Sequence, residues 1–183
     1  MVKPLPFDSP RWNELSTRMG RAGGSVAETL RSLESTPSRL DIFRELWPEF
    51  CSEDRTYEAA FAAAPRLVAF AEEVPRQGGL EYLIVLGLIA THADQVPEDL
   101  EPAYKEALAR ALALALDRLA DVRVDHNLRY LLAAVAAFRG RTDLAGALAN
   151  LDAIQEPCPS CGTVVFPSEL QQIIERDQAG TPA

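Results

Sequence analysis

Cysteine is scarce in this chain, with three among 183 residues. An odd and low number does not build a disulfide framework, and it points to a reducing compartment. The cytoplasm is the expected location. Histidine is scarcer still, with two residues, and neither lies in a His-Glu-x-x-His pattern. No Gly-x-Ser-x-Gly is present, so a serine nucleophile has no signature. The stretch Gly20-Arg21-Ala22-Gly23-Gly24 is rich in glycine. It lacks a preceding strand and a Gly-Lys-Ser/Thr ending, so it reads as a loop and not as a phosphate cradle. These absences leave no catalytic constellation and name no specific activity.

Long apolar runs are also missing. The longest, Tyr82–Ala90, reaches about half of the roughly 20 residues that a membrane-spanning helix needs. The first ten residues, MVKPLPFDSP, contain no apolar core of a secretory signal. No membrane association is expected. Positive charge is in deficit: 18 Lys and Arg face 27 Asp and Glu, a formal net charge of −9. Such a chain repels phosphate backbones, so nucleic acid is disfavoured. A basic protein partner suits it better.

What the chain does have is alanine and leucine, the residues easiest to place in helices. Hydrophobic residues make up 48% and aromatics 7%, and β-branched residues rarely cluster. The apolar spacing then predicts helix after helix. Trp12, Leu15 and Met19 mark a first one. Ser25, with Glu28 three residues on, has the form of a capping box opening a helix to about Leu33. Leu40, Phe43, Leu46, Trp47 and Phe50 form the next stripe. Asp54 is placed to cap a long helix carrying Tyr57, Ala60, Phe61, Ala64, Leu67, Val68 and Ala71, with Pro65 inside it as an expected kink. Residues 80–92 are apolar on nearly every face and should be sandwiched between neighbours. Glu98–Leu119 is the clearest helix, acidic at its start and ending near Arg118. Asp125 opens a further one, and Thr142–Ala153 gives a short last helix of the series.

Two patterns recur. Leu40–Trp47 (LDIFRELW), Leu80–Gly87 (LEYLIVLG) and Leu128–Val135 (LRYLLAAV) resemble one another, and Tyr57-Glu58-Ala59-Ala60 resembles Tyr104-Lys105-Glu106-Ala107. The offsets fall between 40 and 48 residues, the spacing of helix-pair arrays. Pairs of that kind cannot bury their apolar faces alone and must stack. The stretch Ala64-Pro65-Arg66-Leu67-Val68, followed by the apolar Leu80–Ala90, is similar to a HEAT repeat, and Leu46–Phe70 resembles uncharacterised bacterial HEAT-like proteins. The resemblance covers roughly residues 25–153. It implies a short HEAT-like (armadillo-type) superhelix of three to four antiparallel helix pairs that binds another protein along its groove. HEAT repeats usually carry an arginine early in the second helix. Arg129 fills that place in one repeat, while Glu81 occupies it in another and departs from the pattern. An irregular helical bundle would also fit the spacing.

The sharpest chemical motif lies near the end: Cys158-Pro159-Ser160-Cys161-Gly162, then Thr163-Val164-Val165-Phe166. A Cys-x-x-Cys turn followed by glycine resembles a zinc knuckle, and structural zinc wants four ligands. The pair supplies two. Cys51, His92 and His126 are the residues from which others could come. A homodimer sharing two such pairs is another route, and a local disulfide or a knuckle without metal would use the same residues. A thioredoxin-type site fits poorly, because no βαβ unit surrounds the pair. His92 and His126 otherwise read as residues at helix ends, and Trp47 as core or as an exposed binding anchor. Glu72-Glu73 and Asp94 through Glu101 are acidic runs that solvate a face or meet a basic partner.

The expectation is therefore an all-α protein in three parts. Residues 1–24 form a helix and loop, 25–154 the helical-repeat domain, and 155–183 a non-helical Cys-x-x-Cys tail with a final helix near 168–176. The expected function is non-catalytic protein interaction, in its most specific form an immunity-like or regulatory protein that binds a basic partner. The alternative is a zinc-dependent or thiol-redox protein built on Cys158 and Cys161.

Overall fold

A computed structural model describes residues 2–20, 23–52, 55–76, 78–122 and 125–150. Among them are seven α-helices: α1 (Gly24–Ser35), α2 (Leu40–Leu46), α3 (Glu58–Glu73), α4 (Gly79–Thr91), α5 (Glu101–Arg118), α6 (Asp125–Phe138) and α7 (Thr142–Ala149). No strand occurs among the described residues; one isolated antiparallel bridge joins Cys51 to Thr56. The protein is all-α.

The recurring octapeptides explain the arrangement. LDIFRELW, LEYLIVLG and LRYLLAAV fall on α2, α4 and α6. These three helices form one layer. Phe43 of α2 meets Tyr82 of α4, with ring centroids 4.3 Å apart, and α4 packs along α6 more extensively than any other pair of helices touches. The helices between them form a second layer, in which α1 packs on α3 and α3 on α5. Each connection within a pair is short, so partners run antiparallel. This helix-on-helix packing is compatible with a helical repeat. α7 departs from the alternation: it folds back over α6 and also touches α4.

α4 has the environment its composition demanded. It is apolar all round, and Tyr82, Leu83, Leu86 and Ile89 are completely buried. Its Gly87 sits at the crossing with α6. A methyl group there would overlap Ala134 Cβ and lie 2.5 Å from Ala134 Cα, so only glycine lets the two backbones approach this closely. α3 runs through Pro65 without interruption. The missing N–H deprives the Phe61 carbonyl of its usual donor, but packing holds the helix, since all but five of its residues are buried.

Several local expectations need correction. Trp12 and Leu15 do not start an α-helix. They belong to a 3-10 turn, Pro10–Glu14, and its end, and both are buried in the main core, whereas Met19 is 66% exposed. Pro10 and the Ser9 hydroxyl, which accepts from the Arg11 N–H at 3.3 Å, favour the tight turn. α1 begins one residue before Ser25, with Gly23 at its N-cap and no side-chain cap. α3 begins at Glu58 after Tyr57, and Asp54 lies outside the described residues. α5 begins at Glu101, because Pro102 suits the first turn of a helix better than its middle. α7 ends at Ala149.

The N-terminal segment straps the layers together. Phe7 lies between two guanidinium groups, with Arg66 at 3.5 Å and Arg31 at 5.4 Å from its ring centroid. Trp12 Nε1–H donates to the Pro6 carbonyl at 2.9 Å, and Arg11 pairs with Asp99 at 2.8 Å.

Candidate functional site

The layers have two ends, and one of them is open. At this end lie the start of α3, the end of α4, the turn after α2 and the end of α7. Two cavities meet there. One, of about 350 Å³, is lined by Trp47, Cys51, Leu88 and His92, with Arg18 and Asn150 at its margin. The other, of about 560 Å³, is more polar. It is lined by Ser16, Arg55, Thr56, Glu58, Asp94 and Gln95, and it shares His92.

The backbone around these cavities is well tied. After α2, the chain makes a 3-10 turn, Trp47–Glu49. It then reverses through the Cys51–Thr56 bridge, with the Ser52 N–H donating to the Arg55 carbonyl at 2.8 Å and Tyr57 N–H to Phe50 at 2.9 Å. Thr56 Oγ1–H donates to the Ile89 carbonyl at 2.9 Å. That bond fastens the Cys51 turn to the end of α4, three residues before His92.

The start of α3 is capped from far away in sequence. Ser16 Oγ accepts from the Glu58 N–H at 3.3 Å, and the Ser16 carbonyl accepts from Ala59 N–H at 3.1 Å. The Glu58 carboxylate in turn accepts from the Ser16 N–H at 3.0 Å. This is a reciprocal cap of the usual chemistry, closed between residues 42 positions apart.

The structure brings two of the sequence candidates together. Cys51 and His92 line the same cavity. Cys51 is 5% exposed, and burial pushes its thiol up to about 11, against a smaller downward pull from Arg18. It is a protonated thiol at neutral pH, not an activated nucleophile. His126 is placed apart from them. Its backbone lies in the first turn of α6, whereas Ala136 and Ala137, near the other end of α6, pack with Ala90 close to His92. The length of α6 therefore separates the two histidine positions. The side chain of His126, and Cys158 and Cys161, lie outside the described residues. Among the described residues no three His, Cys, Asp or Glu side chains converge as metal ligands. Trp47, read as core or as anchor, is half-buried on the cavity wall.

The charged candidates divide as well. Glu72 pairs with Arg110 at 2.5 Å, so it ties α3 to α5. Asp94 and Glu98 are exposed on the α4–α5 connection, beside the polar cavity. No helix among the described residues is long and apolar enough to cross a membrane. No protein-family model, curated protein or solved structure matches the chain.

Proposed function

We propose that this protein is a non-catalytic interaction module of the HEAT-like kind, which binds a basic segment of another protein at its open end. The observation that carries this reading is the polar cavity of about 560 Å³ with the acidic α4–α5 connection as one wall. Asp94 and Gln95 line it, and Glu98 follows within the same exposed stretch. A concave, polar, carboxylate-bearing surface on a chain of net charge −9 attracts cationic side chains and speeds their encounter. Burial holds the thiol that lines the neighbouring cavity protonated. In its most specific form, the partner is a basic toxin or enzyme that this protein caps, as an immunity-like protein would.

The test is a binding titration. The tagged full-length chain is used to isolate a partner, whose affinity is then measured for the native chain and for Asp94→Asn with Glu98→Gln. Binding of a basic partner should weaken roughly tenfold in the double variant, about 1.4 kcal/mol, and should weaken further as salt rises. A partner held equally well by both forms across the salt range would sink this reading, as would failure to retain any basic protein.

A further inference from the structure

We propose that the cavity beside Trp47 is a binding site for a small carboxylic acid with an apolar body, held by the Arg18 guanidinium at its charged end and by Trp47 and Leu88 along its length. This goes beyond the binding reading, which rests on the neighbouring polar cavity, and does not depend on it.

The first observation is charge. The chain carries 27 Asp and Glu against 18 Lys and Arg, yet among the described residues no carboxylate lines this cavity of about 350 Å³. Its charged side chain is Arg18, with Ser52, His92 and Asn150 as neutral polar company. The adjoining cavity is of the opposite kind, with Glu58 and Asp94 in its wall, and the two meet only at His92. The Arg18 main chain is anchored, its N–H donating to the Glu49 carbonyl at 3.0 Å. Its guanidinium has neither an ion pair nor a hydrogen bond among the described residues. A planar cation with its donors unused suits a carboxylate, which it can meet through two parallel hydrogen bonds.

The second observation is the thiol. Cys51 stands in the same wall, 5% exposed, and burial pushes it up to about 11. Near neutral pH it is uncharged and does not oppose an anion. The turn that carries it is tied to the end of α4 by the Thr56–Ile89 hydrogen bond of 2.9 Å. The Trp47 side and the His92 side of the cavity are therefore held in place before any ligand arrives, which lowers the cost of binding.

The third observation is the apolar wall. Trp47 and Leu88 are half-buried there, opposite small residues of α7, Gly146 and Ala149. Gly146 lies inside α7, where glycine weakens a helix relative to alanine. At Gly79 and Gly87 close packing demands glycine, because a Cβ would overlap a neighbour; a Cβ at Gly146 meets nothing within 4 Å. Packing does not demand glycine at Gly146, and its bare backbone leaves the wall wide. A volume of about 350 Å³ lies at the low end of the range of about 300–1,000 Å³ found for small-molecule sites, and a few polar groups among apolar walls are their usual lining. That space takes one ring or one branched chain with its carboxylate, and not a nucleotide.

Phenylacetate and isovalerate, titrated separately into the full-length chain, test this. The readout is the indole N–H signal of Trp47, assigned by Trp47→Phe. The indole of Trp12, buried and bonded to the Pro6 carbonyl, is the internal control. At least one of the two acids should move the Trp47 signal, with a Kd of about 1 mM or below, and leave that of Trp12 in place. The matched amides, phenylacetamide and isovaleramide, should bind roughly tenfold more weakly, because they lose the charge-assisted pair. Arg18→Gln, at an exposed position, should remove that preference for the acid. Gly146→Leu, which fills the cavity from a wall with room for a side chain, should abolish binding of acid and amide alike. Native circular dichroism in both variants establishes that the fold is intact. The proposal is overturned if neither acid moves the Trp47 signal up to about 10 mM, if the amides bind as tightly as the acids, or if both variants bind as the native chain does.

Discussion

The two ends of the α3–α4 pair are finished in opposite ways. At one end α3 stops, α4 starts and α5 stops, and a single buried arginine closes the junction. Arg118 is 4% exposed and donates to the carbonyls of Ala71 and Arg76, the latter at 3.1 Å. Burial lowers its pKa, yet a guanidinium stays charged, and the carbonyls at the end of α3 are the negative pole of that helix. Gly79 makes room for it: a methyl group there would overlap Arg118 Nη1 and lie 2.6 Å from the Ala71 carbonyl oxygen. At the other end α3 is capped by Ser16, and two cavities remain between the cap, the end of α4 and the end of α7. The same two helices thus terminate once in packing and once in accessible polar surface. Residues at the closed end are accounted for by stability, and those at the open end only in part.

The largest expected effect breaks the closed end. Arg118→Ala removes two hydrogen bonds from a charged donor, each contributing roughly 1.5–3 kcal/mol, and strands buried carbonyls. The cost should be about 3 kcal/mol or more, read as a lower urea midpoint at unchanged slope. Arg118→Lys keeps the charge but not the fork and should recover less than half of it. Gly79→Ala should cost about 2 kcal/mol, because an inserted methyl must displace either the guanidinium or the backbone. A loss below about 1 kcal/mol in Arg118→Ala would mean that water replaces the guanidinium and that the two ends do not differ as described.

Much of this architecture is legible in the sequence, and the rest is missing for a physical reason. The octapeptides at Leu40, Leu80 and Leu128 mark the three helices of one layer, because each must bury the same kind of face. The all-round apolarity of residues 80–92 likewise announces α4, packed on several sides. Capping fails where the partner is distant. Ser25 looks like a cap because local spacing is all a sequence displays, yet it lies inside α1, and the Glu58 N–H at the start of α3 is met by Ser16, 42 positions away. Arg118 suits the last turn of its own helix, and nothing nearby says that its side chain serves α3 instead. The site divides in the same way. Cys51 and His92 stand out by residue type, but their meeting in one cavity depends on the Cys51–Thr56 bridge and the Thr56–Ile89 bond, and no local pattern encodes either.

A second effect sharpens the closed end through pH. Tyr82, completely buried near the start of α4, donates its hydroxyl to the Pro37 carbonyl at 2.6 Å. Burial, with Glu81 adding to it, pushes Tyr82 up to about 12, against about 10 in an unfolded chain. Between those values the unfolded state loses a proton that the folded state keeps. Stability should therefore fall as pH rises above about 10, and continue to fall towards 12. Tyr82→Phe should cost about 1 kcal/mol at neutral pH through the lost hydrogen bond and should flatten part of the alkaline decline. Melting temperatures from pH 8 to 11 check this. An unchanged alkaline slope in the variant would assign the decline to other groups.

The smallest effect concerns the cap at the open end. Ser16→Ala deletes the Oγ acceptor for the Glu58 N–H, a bond of 3.3 Å, but leaves the Ser16 carbonyl bonded to Ala59 N–H at 3.1 Å. A helix cap of this kind is worth about 1 kcal/mol, and the surviving backbone bond should hold the loss at or below that figure. Denaturant unfolding measures it. The comparison with Arg118→Ala is the informative part. If the two ends were equally committed to holding the layers together, removing either closure would cost a similar amount. A loss in Ser16→Ala that matched the arginine variant would mean that the open end is braced as firmly as the closed one. A loss several-fold smaller leaves Asp94, His92 and Cys51 lining cavities that stability alone does not explain.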